Sequence, residues 1–232
     1  MLVTGGCGFV GSSIALKLRM LGLPVTAMDN LYRRGSELNI PRLEAAGVVF
    51  KKGDVRQKED FPDEHHDLLI ECAAEPSVLA GSVDPTYLLD TNLFGALNCL
   101  EFARKNSASF LFLSSSRVYP IPELETLAYR EEESRFVLAS QTLPGVSEKG
   151  IAETFSLGTH RSLYGASKLA AELVANEYHA AYGMPVIINR FGGRAVGYAP
   201  RLQAASLVYW IRGDWKAGAR LPARRGHVVR DS

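Results

Sequence analysis

The residues best suited to chemistry are Tyr164 and Lys168, within Leu163-Tyr164-Gly165-Ala166-Ser167-Lys168-Leu169-Ala170-Ala171-Glu172-Leu173-Val174. The stretch has helical character, and a spacing of four puts both side chains on one helix face. A phenol beside an ammonium favours its phenolate, which moves the tyrosine toward the range of a working base. The same spacing also describes an ordinary, partly exposed pair, so its meaning depends on what the chain brings near it. Ser114-Ser115-Ser116 close the buried strand Ser109-Phe110-Leu111-Phe112-Leu113. Hydroxyls at a strand's carboxyl end suit a site, although turn residues bonding their own backbone read the same way.

A second set opens the chain. Gly5, Gly8 and Gly11 sit three apart after a short apolar run, a spacing suited to a tight strand-to-helix turn and close approach of backbone to a phosphate. A pyrophosphate would lie on the helix N-terminus, where unpaired N–H groups and the dipole favour anions. About twenty residues on, Asp29 occupies the place where a dinucleotide-binding unit sets an acid on the adenosine ribose. An acid there repels a 2′-phosphate and selects NAD over NADP. Arg33 and Arg34 read as a solvated basic turn, the alternative being a phosphate contact.

The elements that must position these residues follow from periodicity. Val10, Ile14, Leu18 and Leu21 give a helical face stopped by Gly22, and Pro24–Met28 read as a second strand, which makes a βαβ start. Residues 38–47 read as a helix and Val48–Phe50 as a third strand, with Asp54 and Val55 past its carboxyl end, near the adenine. Asp67–Ala74 form a fourth strand ending in the small pair Ala73-Ala74. Asp84-Pro85 caps a long helix from about Pro85 to Lys105. Asn92 lies inside it and needs partners if it faces inward. Pro185–Arg190 read as a sixth strand. Residues 120–162 lack a clear period, carry several prolines and glycines, and read as a substrate-side loop insertion; the run Glu131-Glu132-Glu133 reads as a solvated face.

Composition narrows the class. With 232 residues, 47% hydrophobic and 22% charged, the chain can bury a large core, and one α/β domain fits best. A formal net charge of +1 gives no electrostatic case for nucleic acid or an anionic membrane. Cys7, Cys72 and Cys99 are far apart and read as buried hydrophobes, and His65 and His66 have no third ligand nearby and read as surface residues, so no metal site is expected. No apolar run has the length of a membrane span and no basic segment precedes the first helix, which reads as a cytoplasmic protein. The first strand begins almost at Met1, as in a gene model that starts late.

Together these residues resemble the extended short-chain dehydrogenase/reductase family, in its NAD-dependent sugar-nucleotide epimerase and dehydratase branch. Thr4–Gly11 looks like its T-G-x-x-G-x-x-G turn, Asp29-Asn30-Leu31 like its ribose-binding D-N-L, and Ala73-Ala74 like the end of its H-x-A-A strand, with Glu71 in place of the histidine. The resemblance implies a doubly wound parallel (Rossmann) sheet, with residues 1–190 binding NAD and residues 191–232 starting a small, truncated substrate-binding part. It implies cofactor contacts at Gly5, Gly8, Phe9, Val10, Gly11, Asp29, Asn30, Asp54, Val55, Ala73, Ala74 and Asn92, and catalysis by Ser115, Tyr164 and Lys168, the last two also touching the cofactor. Ser115 is selected over its neighbours because two residues separate it from Val118-Tyr119. The implied partner is a nucleotide-linked sugar, and the implied assembly is a homo-oligomer, dimer or tetramer. Ser116-Arg117 replace the Asp-Glu that dehydratases place after the hydroxyl residue. The combination of the glycine turn, Asp29–Gly35 and the insertion containing Pro144-Gly145-Val146-Ser147 looks most like CDP-tyvelose (CDP-paratose) 2-epimerases. A UDP-sugar 4-epimerase, a nucleotide-sugar reductase and a catalytically inactive NAD-binding fragment remain the alternatives. Arg190-Phe191-Gly192-Gly193 lacks the asparagine of the branch's R-x-x-N, and His227–Asp231 resembles its Q-V-R-D strand, after which members continue.

Overall fold

The computed structural model describes residues 1–133, 135–147 and 150–192. The expectations placed on Gly193, on His227–Asp231 and on a substrate-binding part over residues 193–232 lie outside them. The framework is a six-stranded parallel sheet of β1 (Leu2–Thr4), β2 (Thr26–Asp29), β3 (Val49–Lys52), β4 (Leu68–Glu71), β5 (Ser109–Ser115) and β6 (Val186–Phe191). Its spatial order is β3-β2-β1-β4-β5-β6. The order reverses between β1 and β4, and such a switch point opens a crevice at the strands' carboxyl ends. Leu2, Val3 and Thr4 pair with Thr26, Ala27 and Met28 on one side and with Leu69, Ile70 and Glu71 on the other, so three residues suffice to hold the centre of the sheet.

Alternation along these strands sends side chains to two cores. Val3, Ala27, Ile70 and Leu111 pack with Ile14 and Leu18 of α1 (Phe9–Met20) and Leu43 of α2 (Ile40–Ala45). On the other face Leu2, Leu69, Phe110 and Phe112 meet Cys99 and Leu100 of one helix and Ala171 and Ala175 of another. The first belongs to a helical run in three parts: α3 (Pro85–Leu89), a π-helical turn (Asp90–Phe94) and α4 (Gly95–Lys105). Asp84 caps it by accepting the Tyr87 amide at 2.9 Å. The second is α5 (Leu163–Tyr182), capped by Ser162, which accepts the Gly165 amide, and ended by Gly183 at φ +65.

Four expectations change. The 85–105 helix contains a π turn, and β5 runs through to Ser115 rather than stopping before the serines. His66 is not a surface residue: it is buried, its ring centroid lies 6.0 Å from that of Phe102, and burial lowers its pKa. A two-histidine sequence cannot show which of the pair faces the helix. The 120–162 insertion carries more order than its aperiodic sequence suggests, with a helical turn (Ile121–Glu125) and two short hairpins, Tyr129–Glu132 with Arg135–Leu138 and Val146–Ser147 with Gly150–Ile151. Phe155, Val118 and Tyr119 knit it to the end of β5.

Candidate functional site

The glycine turn leaves β1 at Gly5, whose φ of +61 suits no L side chain. A Cβ there would lie 2.8 Å from the backbone of Cys72 and Ala73, and a Cβ on Gly11 would lie 2.1 Å from the Gly5 carbonyl oxygen. The glycines are therefore fixed first by contact of strand ends with helix. Gly8 precedes α1 with no side-chain cap, and the first turn, containing Phe9, Val10 and Gly11, has no acid. Those leading N–H groups have no intrahelical acceptors and lie at the switch point, where a helix N-terminus favours negative charge.

Asp29 ends β2 beside this turn. Its Oδ2 accepts the Cys7 amide at 3.0 Å and its Oδ1 the Leu31 amide at 2.9 Å, so the carboxylate is held by backbone and keeps lone pairs for a ribose. Asn30 donates to Asp54 Oδ2 at 2.9 Å, and Arg56 Nη2 lies 2.6 Å from the same oxygen. Burial works against the Asp54 charge, but hydrogen bonds from Arg56 and Asn30 outweigh it and bring its pKa down to about 2. Val55 is buried against Gly95, where a Cβ would lie 2.6 Å from its Cγ2. Asp29, Asn30 and Asp54 thus form one connected cluster. Arg33 and Arg34 are exposed, and Arg33 reaches Glu75 at 3.6 Å.

Beyond β4, Ala73 and Ala74 begin the loop against Gly5. Asn92, fully buried in the π turn, accepts the Glu75 amide at 2.8 Å and donates to the Glu75 carbonyl at 3.1 Å and to Ser167 Oγ at 3.3 Å. Its amide spans the loop after β4 and helix α5, the inward partners its position requires. π turns recur at functional sites because they re-aim one side chain.

Ser115 ends β5 and accepts the Arg117 amide at 3.1 Å, which starts the turn Ser116–Val118. The first turn of α5, carrying Tyr164, rests on that turn: a Cβ on Gly165 would lie 2.0 Å from the Arg117 carbonyl oxygen. Lys168, one turn further, is buried. Its Nζ lies 3.5 Å from Glu71 Oε2 and 4.1 Å from the centre of the Phe112 ring. Glu71 is wholly buried, and burial raises its pKa to about 6 against the opposing pull of Lys168.

Sequence reasoning overlooked a neighbouring network. Glu172 Oε1 accepts Ser114 Oγ at 2.5 Å, and Arg190 grips both carboxylate oxygens from Nε at 3.1 and 3.0 Å and Oε2 from Nη2 at 2.6 Å. Arg190 also reaches the Tyr119 hydroxyl at 3.4 Å. The signal was present: Lys168 and Glu172 are four apart, so a helix face carrying the first carries the second. Among the described residues no group of three or more histidine, cysteine or acidic side chains could hold a metal, and no helix is long and apolar enough to cross a membrane.

A parallel doubly wound sheet with an uncapped helix at its switch point and an acid after β2 defines a dinucleotide-binding protein. The model of the NAD dependent epimerase/dehydratase family matches residues 1–201, and the chain belongs to that family. It is 31% identical over 209 residues to CDP-paratose 2-epimerase of Salmonella typhi, covering 84% of this chain and 58% of that protein. Identity to a bifunctional UDP-glucose and UDP-xylose 4-epimerase of Arabidopsis thaliana is 32%, over 78% and 48%. The fold superposes on Thermus thermophilus UDP-glucose 4-epimerase with NAD at a TM-score of 0.61 and 30% identity, covering 82% of this chain and 53% of that one. For Bifidobacterium longum UDP-glucose 4-epimerase with NAD+ and UDP the TM-score is 0.64 at 26% identity, over 82% and 52%. The chain spans about half the length of the relatives it matches. Family membership gives NAD as the cofactor, and the uncapped α1 terminus with Asp29 fits it.

Proposed function

We propose that this protein is an epimerase of a nucleotide-linked sugar, of the CDP-sugar 2-epimerase kind. The observation that supports it best is the seating of the Tyr164 turn on the turn after Ser115, with Lys168 one helical turn deeper. In this reading Gly5, Gly8, Phe9, Val10 and Gly11 hold the pyrophosphate, Asp29 and Asn30 the adenosine ribose, and Asp54 and Val55 border the adenine. Ala73, Ala74 and Asn92 shape the wall along which the cofactor passes. NAD, when bound, supplies reversible hydride exchange with one sugar carbon.

Tyr164 takes the proton of the ring hydroxyl on that carbon and later returns it, as general base and then general acid. Ser115 Oγ hydrogen-bonds the same oxygen, and Lys168 offers its ammonium to Tyr164 and to the cofactor's ribose. The keto sugar turns its other face before the hydroxyl is restored, so no net redox change occurs and the cofactor stays in place. The similarity to UDP-sugar 4-epimerases supports a second reading in which the same machinery acts at another carbon. Tyr164→Phe is expected to abolish epimerisation; a wild-type rate would end the mechanism. Product analysis over CDP-, UDP- and GDP-sugars separates the two readings.

A further inference from the structure

Glu71 is a buried charge for which the proposed chemistry has no use. Both its oxygens are sealed from solvent without a hydrogen-bond partner among the described residues, as is Thr4 Oγ1 beside it in the β1–β4 register. Its nearest cation is Lys168, and Phe112, which pairs with Glu71 across β4 and β5, lies under the same ammonium. Lys168 therefore rests in a corner made by one carboxylate and one aromatic face, both on the sheet side. The titratable groups facing Glu71 are Lys168 from α5, Cys99 from α4, and Cys72, next along its own chain; burial raises both thiols, which stay neutral. β1 offers Thr4 and β5 offers Phe112, neither of which ionises.

Asp29 places the adenosine end of the cofactor over β2, so the nicotinamide end falls on the β4–β5 side of the switch point. Oxidised nicotinamide carries a positive charge that the reduced ring lacks. We infer that Glu71 is a positioning residue: from the sheet side it pins the Lys168 ammonium and offsets its charge, and so favours oxidised over reduced cofactor at that end of the site. The inference rests on the NAD reading of the site and on the role given there to Lys168. A carboxylate whose pKa stands at about 6 exerts this preference above that pH and loses it below.

The test is calorimetric titration of cofactor-free protein with NAD+ and with NADH, at about pH 5 and about pH 7.5, for wild type, Glu71→Gln and Glu71→Asp. Wild type should shift its affinity ratio toward NAD+ with rising pH, on the order of tenfold, as expected of one unit charge acting over roughly 10 Å. Glu71→Gln should show a pH-independent ratio displaced toward NADH, and Glu71→Asp should recover the dependence. A purely structural carboxylate would weaken both cofactor forms alike and leave their ratio unchanged. A flat wild-type ratio overturns the inference even if the glutamine variant does not fold, and so does an equal ratio in wild type and Glu71→Gln. Failure of both forms to bind wild type overturns the NAD reading itself.

Discussion

On either side of the crossover between β1 and β4 the protein handles charge differently. In the half built on β1–β3, buried Asp29 and half-buried Asp54 are held by the backbone amides of Cys7, Leu31 and Arg56 and by the side chains of Asn30 and Arg56. In the half built on β4–β6, Glu71, Lys168 and Glu172 are almost wholly buried, and their partners come from distant strands and helices. The carboxylates of the first half are satisfied by the loops that follow β1, β2 and β3. The second is held by tertiary ion pairs, which fix geometry at a desolvation cost and punish the loss of one partner.

In each half one glycine makes the tightest approach to backbone, Gly11 in the first and Gly165 in the second, and these should give the largest effects. Gly11→Ala drives a methyl into the Gly5 carbonyl and Gly165→Ala drives one into the Arg117 carbonyl, at 2.1 and 2.0 Å. Both should cost about 3 kcal/mol or more, as overpacking against backbone does. Gly11→Ala should chiefly abolish NAD binding, whereas Gly165→Ala should chiefly abolish turnover by lifting Tyr164 off the Ser115 turn; thermal melts with cofactor titration distinguish them. If both variants lost only cofactor affinity, the two halves would not be separable.

Next in size are the ion pairs. Removing Glu172 alone leaves Arg190 half-buried and unpaired, a loss of roughly 3–5 kcal/mol, whereas Glu172→Leu with Arg190→Leu should recover much of it. Burial works against the Arg190 charge, but its hydrogen bonds to Glu172 and Tyr119 hold its pKa above the ordinary guanidinium value, so protonation change gives no escape. Denaturant unfolding of the four members of the cycle measures the coupling. A coupling near zero would show that the fork is incidental.

This division also decided what could be read from the letters. The glycine turn, Asp29, Asp54 and the Asp84 cap are local patterns, and the six strands and principal helices follow from hydrophobic runs between turn signals. Tyr164 and Lys168 were legible because helix period alone puts them on one face. Glu71 and the buried His66 were not, since a charged or polar residue beside an apolar run is ordinarily solvated, and only tertiary packing seals these positions, as it alone brings Arg190 to Glu172. The π turn was invisible for a similar reason: Asn92 is drawn to Glu75 and Ser167, contacts 17 and 75 residues away in sequence.

The carboxylates of the two halves should titrate in opposite senses. Asp54 has its pKa lowered to about 2, so its stabilisation is present above its unfolded value near 4 and is lost as pH falls toward 2. Glu71 has its pKa raised to about 6, so its contribution is present below its unfolded value near 4.5 and is lost as pH rises through 6. Each shift corresponds to about 2 kcal/mol at ~1.4 kcal/mol per unit. Asp54→Asn should flatten stability between about pH 2 and 4, and Glu71→Gln should flatten it between about pH 4.5 and 6. Melting temperatures across that range test both; a Glu71→Gln profile parallel to wild type would mean that the pull of Lys168 cancels the effect of burial and leaves the carboxylate's pKa at its unfolded value.

The smallest effect belongs to Arg33, where the two halves touch at the surface. Its guanidinium is 62% exposed and 3.6 Å from Glu75, a geometry worth less than about 0.5 kcal/mol in water. Asn92 already fixes Glu75 through its backbone, so the loop after β4 does not need the ion pair. Arg33→Ala should leave the melting temperature nearly unchanged and NAD affinity within about twofold, as the proposed assignment of the ribose to Asp29 rather than to the basic turn requires. The sharper measurement is NADP: if Arg33 serves a 2′-phosphate, the variant loses NADP affinity selectively, and if the turn is only solvated, NAD and NADP affinities move together. A selective loss would extend the cofactor site across the loop and join the two halves through a residue that the geometry otherwise leaves in water.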